Sequence, residues 1–164
     1  MQIRPEQPND EDAITHVIQT AFTDHPHSDN NEQHIVTRLR NDNAMCLSFV
    51  AIIDDTLVGH ICFSEVVIHG ENVRWYGLGP VSVLPESQNQ GVGSALIQQG
   101  LTALKVLGAK GCVLAGEPAY YQRFGFKQCP QLTFPGIPQE YFLALSFQSE
   151  IPPGEVRYHE AFYL

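Results

Sequence analysis

The chain has 164 residues, a length that fits one domain of roughly 100–200 residues. It is 43% hydrophobic and 16% charged, with 13 Gly and 11 Pro, which excludes collagen-like, mucin-like and wholly disordered chains. Nine Lys and Arg stand against 18 Asp and Glu, a formal net charge of −9, so the chain lacks the basic surface that phosphate-dominated nucleic-acid binding requires and suits a cationic small molecule or peptide instead.

Ile14, Val17, Ile18, Ala21 and Phe22 recur at helical spacing, which predicts an amphipathic helix with Asn9 or Asp10 as its cap. A polar loop over Thr23–Asn31 follows, then a short helix through Ile35, Val36 and Leu39. Leu47–Ile53 and Leu57–Val67 read as a hairpin about an Asp54-Asp55-Thr56 turn, with His60, Cys62 and Ser64 on one face and Ile61 and Phe63 on the other. Arg74–Leu84 reads as a strand interrupted at Gly79-Pro80, because proline cannot donate to a ladder. A long helix from about Gly91 to Leu107 carries the stripe Val92, Ala95, Leu96, Gly100, Ala103, Leu107. Gly100 costs that helix about 1 kcal/mol relative to Ala, which predicts a close approach to the sheet there. Cys112–Ala115 reads as a buried strand of a parallel pair. Pro118–Phe124 reads as a brief helix stopped by Gly125. Strand-like Tyr141–Phe147 and Val156–Leu164 close the chain.

Leu47–Ile53, the longest apolar stretch, is far short of the roughly 20 residues that cross a bilayer, and the acidic N-terminus lacks a signal-peptide core. Cys46, Cys62, Cys112 and Cys129 form no CxxC pair and mostly sit among apolar neighbours, as free thiols do. The expectation is a soluble, reduced, cytoplasmic, single-domain protein spanning 1–164. His25 and His27 with Asp24 and Asp29 read as a polar loop rather than a metal site, since no third spaced ligand accompanies them; no metal is expected.

The strand Val81-Ser82-Val83 leads into Gln88-Asn89-Gln90-Gly91-Val92-Gly93 and an apolar helix. Glycines at such a turn let the backbone approach a ligand, and free N–H groups at a helix start favour an anion, of which a diphosphate is the natural example. A P-loop would need Lys after its second glycine, and a dinucleotide fingerprint would need Gly or Ala where Leu96 stands. A plain glycine-containing cap without a ligand is the other reading. Gly79-Pro80 favours the ligand, because it frees main-chain groups of Val81 and Val83.

Gln88, Gly91 and Gly93 meet the pattern [Q/R]-x-x-G-x-[G/A], and Tyr121, Gly125 and Phe126 meet Y-x-x-x-G-F. The combination resembles the GNAT superfamily of N-acetyltransferases, and LGPVSVLPESQNQGVG with GEPAYYQRFGF looks like its YhbS-like branch. The resemblance implies an α/β fold with a central mixed, mostly antiparallel twisted sheet of about six or seven strands, V-split between the fourth and fifth and flanked by about four helices. It implies acetyl-CoA as cosubstrate, its diphosphate on N–H groups within Gln88–Ser94 (Gln88, Asn89, Gln90, Gly91, Val92, Gly93, Ser94). Its pantetheine arm would lie beside Val81, Ser82 and Val83, with Val81 N–H on the thioester carbonyl and Val83 the next contact. Tyr121 matches the tyrosine that protonates the departing thiolate or hydrogen-bonds to sulfur. Tyr120 misses the spacing and reads as core packing. The implied reaction is direct attack of a primary amine in a ternary complex.

An amine near pKa 10.4 lies about three units above neutrality, so its deprotonation costs about 4 kcal/mol. Glu117, at the end of the buried strand, is the first choice of base; its other reading is an acid at a helix N-terminus. Many acetyltransferases of this type carry Asn around this point. Glu65 and His60 are the alternatives. Arg123 and Lys127 read either as contacts to CoA phosphates or as surface charge. Asp24, Asp29 and Glu140, in the loop and in the Cys129–Tyr141 segment, favour a cationic acceptor. A non-catalytic acyl-CoA-binding or sensing module is the alternative function, and a homodimer would use the C-terminal strands.

Overall fold

The computed structural model describes residues 1–26 and 28–163. Among them the chain forms β1 (Gln2–Pro5), α1 (Glu11–Phe22), α2 (Glu32–Asn41), β2 (Met45–Ile53), β3 (Thr56–Ile68), β4 (Glu71–Val83), α3 (Val92–Val106), β5 (Gly111–Ala115), α4 (Pro118–Tyr121), β6 (Lys127–Gln128), β7 (Leu132–Thr133), β8 (Phe142–Ser146) and β9 (Gly154–Arg157). The strand order is β1-β2-β3-β4-β5-β8-β6, with β9 beside the far end of β3 and β7 beside β9. The pairs are antiparallel except β4–β5 and β7–β9. This is the mixed, mostly antiparallel arrangement that the motifs imply, with nine strands rather than six or seven.

Alternation along β3 divides the core. Ile61 and Phe63 are fully buried in the cluster that holds Leu96, Ile97 and Leu104 of α3. Cys62 and Val50, on the other face, join Ile14 and Ile18 of α1 and Ile35, Val36 and Leu39 of α2. The expected close approach at Gly100 is present: a Cβ there would lie 2.3 Å from Phe63 Cε1. The Asp54-Asp55 turn also stands where expected, both residues at positive φ.

Several boundaries differ from expectation. β1 is a two-sided polar segment at the sheet edge, with only Ile3 to announce it. β4 begins at Glu71, because His69 and Gly70, both at positive φ, close a tight hairpin without Asn-Gly or Asp-Gly. The helix expected through Phe124 is α4 followed by a 3-10 turn over Gln122–Phe124. Val156–Leu164 is not one strand: β9 ends at Arg157, and a 3-10 turn follows over Glu160–Tyr163. There the Tyr158 N–H donates to Tyr163 Oη at 3.1 Å, so the chain folds back; Leu164 and His27 lie outside the described residues. Asp10 precedes α1 but does not bond to its first turn. Its carboxylate takes the Gln7 N–H at 2.7 Å and Arg4 at 2.7 Å. On α3 the buried stripe is Val92, Leu96, Ile97, Gly100, Leu101, Leu104, and Leu107 is exposed because the helix ends before it.

Candidate active site at the split between β4 and β5

β4 and β5 pair only through Trp75–Gly111, Tyr76–Cys112 and Gly77–Val113. Beyond these, β5 follows β8 to Ala115 while β4 follows β3 to Val83, and the two part. Gly79 and Pro80 form a bulge, since Leu78 opposes Phe63 and Val81 opposes Ile61. Past the bulge, the Leu84 N–H donates to the Val58 carbonyl at 2.8 Å. Antiparallel strands turn alternate residues toward the partner, so Ser82 bonds to β3 while Val81 and Val83 present N–H and C=O to the split. The sequence expectation of a freed strand edge therefore has a geometric basis.

The edge runs into the first turn of α3. Among the described residues, the N–H groups of residues 89–94 find no hydrogen-bond acceptor, as the first turn of a helix leaves its donors unused, and the dipole there favours negative charge. Gly91 has φ 84°, a value L side chains rarely adopt. Gln88 plays a part its motif did not announce. Its N–H is held by the Pro85 carbonyl at 3.3 Å, and its side-chain Nε2 donates to the Val83 carbonyl at 3.0 Å. Gln88 thus braces the turn against β4, and the donor set begins at Asn89.

α4 lies across from that turn. A Cβ on Gly93 would sit 3.3 Å from Tyr120 Oη and 3.9 Å from Val83 Cγ2, so Tyr120 reaches the α3 turn from the far side of the split. Core packing describes only its ring. Arg123 lies over that ring at 4.5 Å, and its Nε donates to the Tyr120 carbonyl at 2.9 Å. The one signal for Tyr120 in the sequence is the tyrosine doublet. Tyr121 packs on Gly116, where a Cβ would meet its ring at 2.5 Å, and on Phe126 at 6.1 Å between centroids. Its hydroxyl has no hydrogen-bond partner among the described residues. Burial, with Tyr120 adding to it, pushes the Tyr121 phenol up to about 12. Glu117 caps α4 in sequence, but its exposed side chain makes no hydrogen bond to it. Glu65 is exposed and bonded to Asn72 at 3.3 Å, near the β3–β4 hairpin and away from the split. His60 is fully buried on β3, directly opposite Ser82 of β4. Among the described residues, no group of three or more His, Cys, Asp or Glu could hold a metal, and no helix is long and apolar enough to cross a membrane.

A strand edge left open beside a helix start stocked with free donors is the architecture of an acyl-CoA-using transferase, and comparison with known proteins agrees. Residues 2–129 match the model of the acetyltransferase (GNAT) domain, and the chain belongs to the GNAT superfamily of N-acetyltransferases. Within it the chain is close to the YhbS-like branch. It is 34% identical over 128 residues to the uncharacterized N-acetyltransferase YhbS of Escherichia coli, covering 77% of this chain and 74% of that protein. Among solved structures, a GNAT family acetyltransferase from Brucella melitensis in complex with acetyl-CoA is 45% identical, with TM-score 0.89 over 98% of this chain and 97% of the other. Escherichia coli YhbS in complex with CoA is 31% identical, with TM-score 0.91 over 99% and 92%.

Proposed function

We propose that the protein moves an acetyl group from acetyl-CoA to a primary amine by direct attack, both substrates being bound at once. The observation that carries this reading is the set of unused main-chain donors at Val81 and Val83 on the strand edge and, past the bonded turn over residues 84–88, at residues 89–94. It matches an extended amide-bearing arm that ends in a diphosphate, and the two similar structures that hold CoA or acetyl-CoA support it. The N–H groups of residues 89–94 receive the diphosphate, and Arg123 lies near enough to α4 to add positive charge to a chain of net charge −9. Val83 N–H binds the pantetheine arm. Val81 N–H donates to the thioester carbonyl oxygen, where charge gathers as the amine attacks; one such donor in a dry site contributes about 3 kcal/mol to the barrier.

Tyr121 stands at the leaving sulfur. A thiol near 8.5 lies about 3.5 units below the raised phenol, so outright transfer to a free thiolate is uphill by roughly 5 kcal/mol. The hydroxyl therefore serves by hydrogen-bonding the sulfur as the C–S bond breaks, the proton following as charge accumulates. Glu117, exposed just past the end of β5, draws a cationic acceptor to the rim.

The test is a thermal shift with CoA, then thiol release from acetyl-CoA against polyamines, amino acids, aminoglycosides and lysine peptides. A ligand at 100 times its dissociation constant stabilises by about 2.7 kcal/mol, so an unchanged melting temperature in millimolar CoA overturns the proposal. A non-catalytic acyl-CoA sensor would keep that shift, release no thiol with any amine, and retain its role in a Tyr121→Phe, Glu117→Gln protein.

A further inference from the structure

Across β2 and β3, on the face covered by α1 and α2, runs a chain of polar groups, half-buried at Arg40, Glu6 and Ser48 and fully buried at His60, that the fold leaves incomplete at one end. Arg40 of α2 grips the Glu6 carboxylate through Nε–Oε2 at 3.0 Å and Nη2–Oε1 at 2.9 Å. Ser48 Oγ donates to Glu6 Oε1 at 2.8 Å. His60 Nε2 lies 2.9 Å from that Ser48 Oγ and 3.6 Å from Glu6 Oε1. A serine hydroxyl has one proton and a carboxylate has none to give, so the Ser48 proton belongs to Glu6. The hydrogen between His60 and Ser48 must then come from Nε2, which leaves Nδ1 with a bare lone pair.

Nδ1 is buried and, among the described residues, has no partner. Directly across the ladder stands Ser82, 4% exposed, whose hydroxyl is also without a partner. Directly opposed residues share one face with Cβ atoms about 4.5–5.5 Å apart; the two atoms do not bond each other as they stand, so one water between them would complete the link. Two other buried atoms lack partners, Ser64 Oγ and Trp75 Nε1, but they face Gly77 and Val66, which offer no polar side chain. Among the described residues, only the His60–Ser82 pair sets an unused acceptor opposite an unused donor, and Ser82 lies between the two valines whose N–H groups open on the split.

We propose that Ser82 and His60 form the proton-accepting arm of the reaction, a reading that rests on the acetyl transfer above. The acceptor ammonium gives a proton to Ser82 Oγ while the hydroxyl passes its own, through that water, to His60 Nδ1. The freed lone pair forms the C–N bond and the C–S pair leaves on sulfur, which is hydrogen-bonded by Tyr121, the phenol proton following as charge accumulates there. The second nitrogen proton goes to solvent, which also restores Tyr121 and takes the His60 proton after product leaves. The charged groups around the imidazole suit this role. Burial pushes His60 below its ordinary value, so it is neutral and ready at pH 7. The Glu6 carboxylate steadies the imidazolium once formed. Arg40 opposes it, itself offset by Glu11 at 3.7 Å. Cys62, the next residue on that face, is held protonated by burial.

The experiment uses acetyl-CoA with simple primary amines of graded pKa. His60→Gln is expected to lose about 100-fold in transfer at pH 7, the scale of general base catalysis. The gap should narrow toward pH 10, as solvent deprotonates the amine unaided. Ser82→Ala, which removes one buried atom and leaves the Arg40–Glu6 chain whole, should show the same narrowing. Full activity in either relay variant, or a loss independent of pH, overturns the proposal. A second readout needs no transfer at all. Imidazole 15N shifts should show Nε2 protonated and Nδ1 bare, and Nδ1 should move in Ser82→Ala; a protonated Nδ1, or one indifferent to that change, overturns it equally. The CoA thermal shift, measured on the same proteins, reports separately on cofactor binding.

Discussion

Gly91 and Gly93, two residues apart in one motif, are glycine for different reasons. Gly91 needs its left-handed backbone and has nothing within 4 Å of a would-be Cβ, whereas Gly93 leaves room for the Tyr120 hydroxyl. The motif was readable because backbone conformation at a strand-to-helix turn is a local demand. What Gln88 does with its side chain was not readable, since the Val83 carbonyl reaches it only through the bulge at Gly79-Pro80 and the alternation that follows. Tyr121→Phe keeps the ring against Gly116 and removes only the hydroxyl. It should preserve the CoA thermal shift and lower thiol release about 100-fold, and undiminished release would remove Tyr121 from the chemistry.

Elements with a wide apolar stripe or a clean alternation were legible, among them α1, α2, α3 and the β2–β3 hairpin. Those whose pairing is decided by distant chain were not. β1 has a partner on one side only, and β9 is held at Val67–Arg157 and Ile68–Val156 by a strand some ninety residues earlier. Gly100 shows how packing overrides propensity within one element. Gly100→Ala gains about 1 kcal/mol in helix propensity, but its methyl would meet the fully buried Phe63 ring at 2.3 Å, and overpacking costs typically 1–3 kcal/mol. The two nearly offset at the low end of that range. Because the contact is shorter than any real Cβ contact, the upper end applies, and a lower urea midpoint is expected, with Phe63→Leu in the same chain restoring part of it.

At the scale of the molecule, titration ties the Arg40–Glu6–Ser48–His60 chain to overall stability. Burial alone would push the Glu6 carboxyl up, yet His60, Arg40 and Ser48 outweigh it and hold the group at about 2 against an ordinary 4.5. Asp10 is lowered as well, chiefly by its hydrogen bond from Arg4. The contribution of a lowered carboxyl is whole above about pH 4.5 and lost as the pH falls toward 2. His60, also lowered by burial from an ordinary 6.5, takes up a proton on unfolding once the pH drops below that value, so stability begins to fall there. Two declines on acidification are expected in urea midpoints measured from pH 8 to pH 3, the upper flattened in His60→Gln and the lower in Glu6→Gln. A midpoint constant over that span would contradict the assignment.

Three residue pairs are all that join β4 to β5, which leaves the middle of the sheet a few rungs short. A guest threaded into the gap acts as a keystone, contributing the missing rungs itself. Loading should then slow amide exchange along both flanks of the gap, at residues 81–83 and 114–115, and each discharge of product should slacken them again. The barrel of the lock, so to speak, is finished by the key.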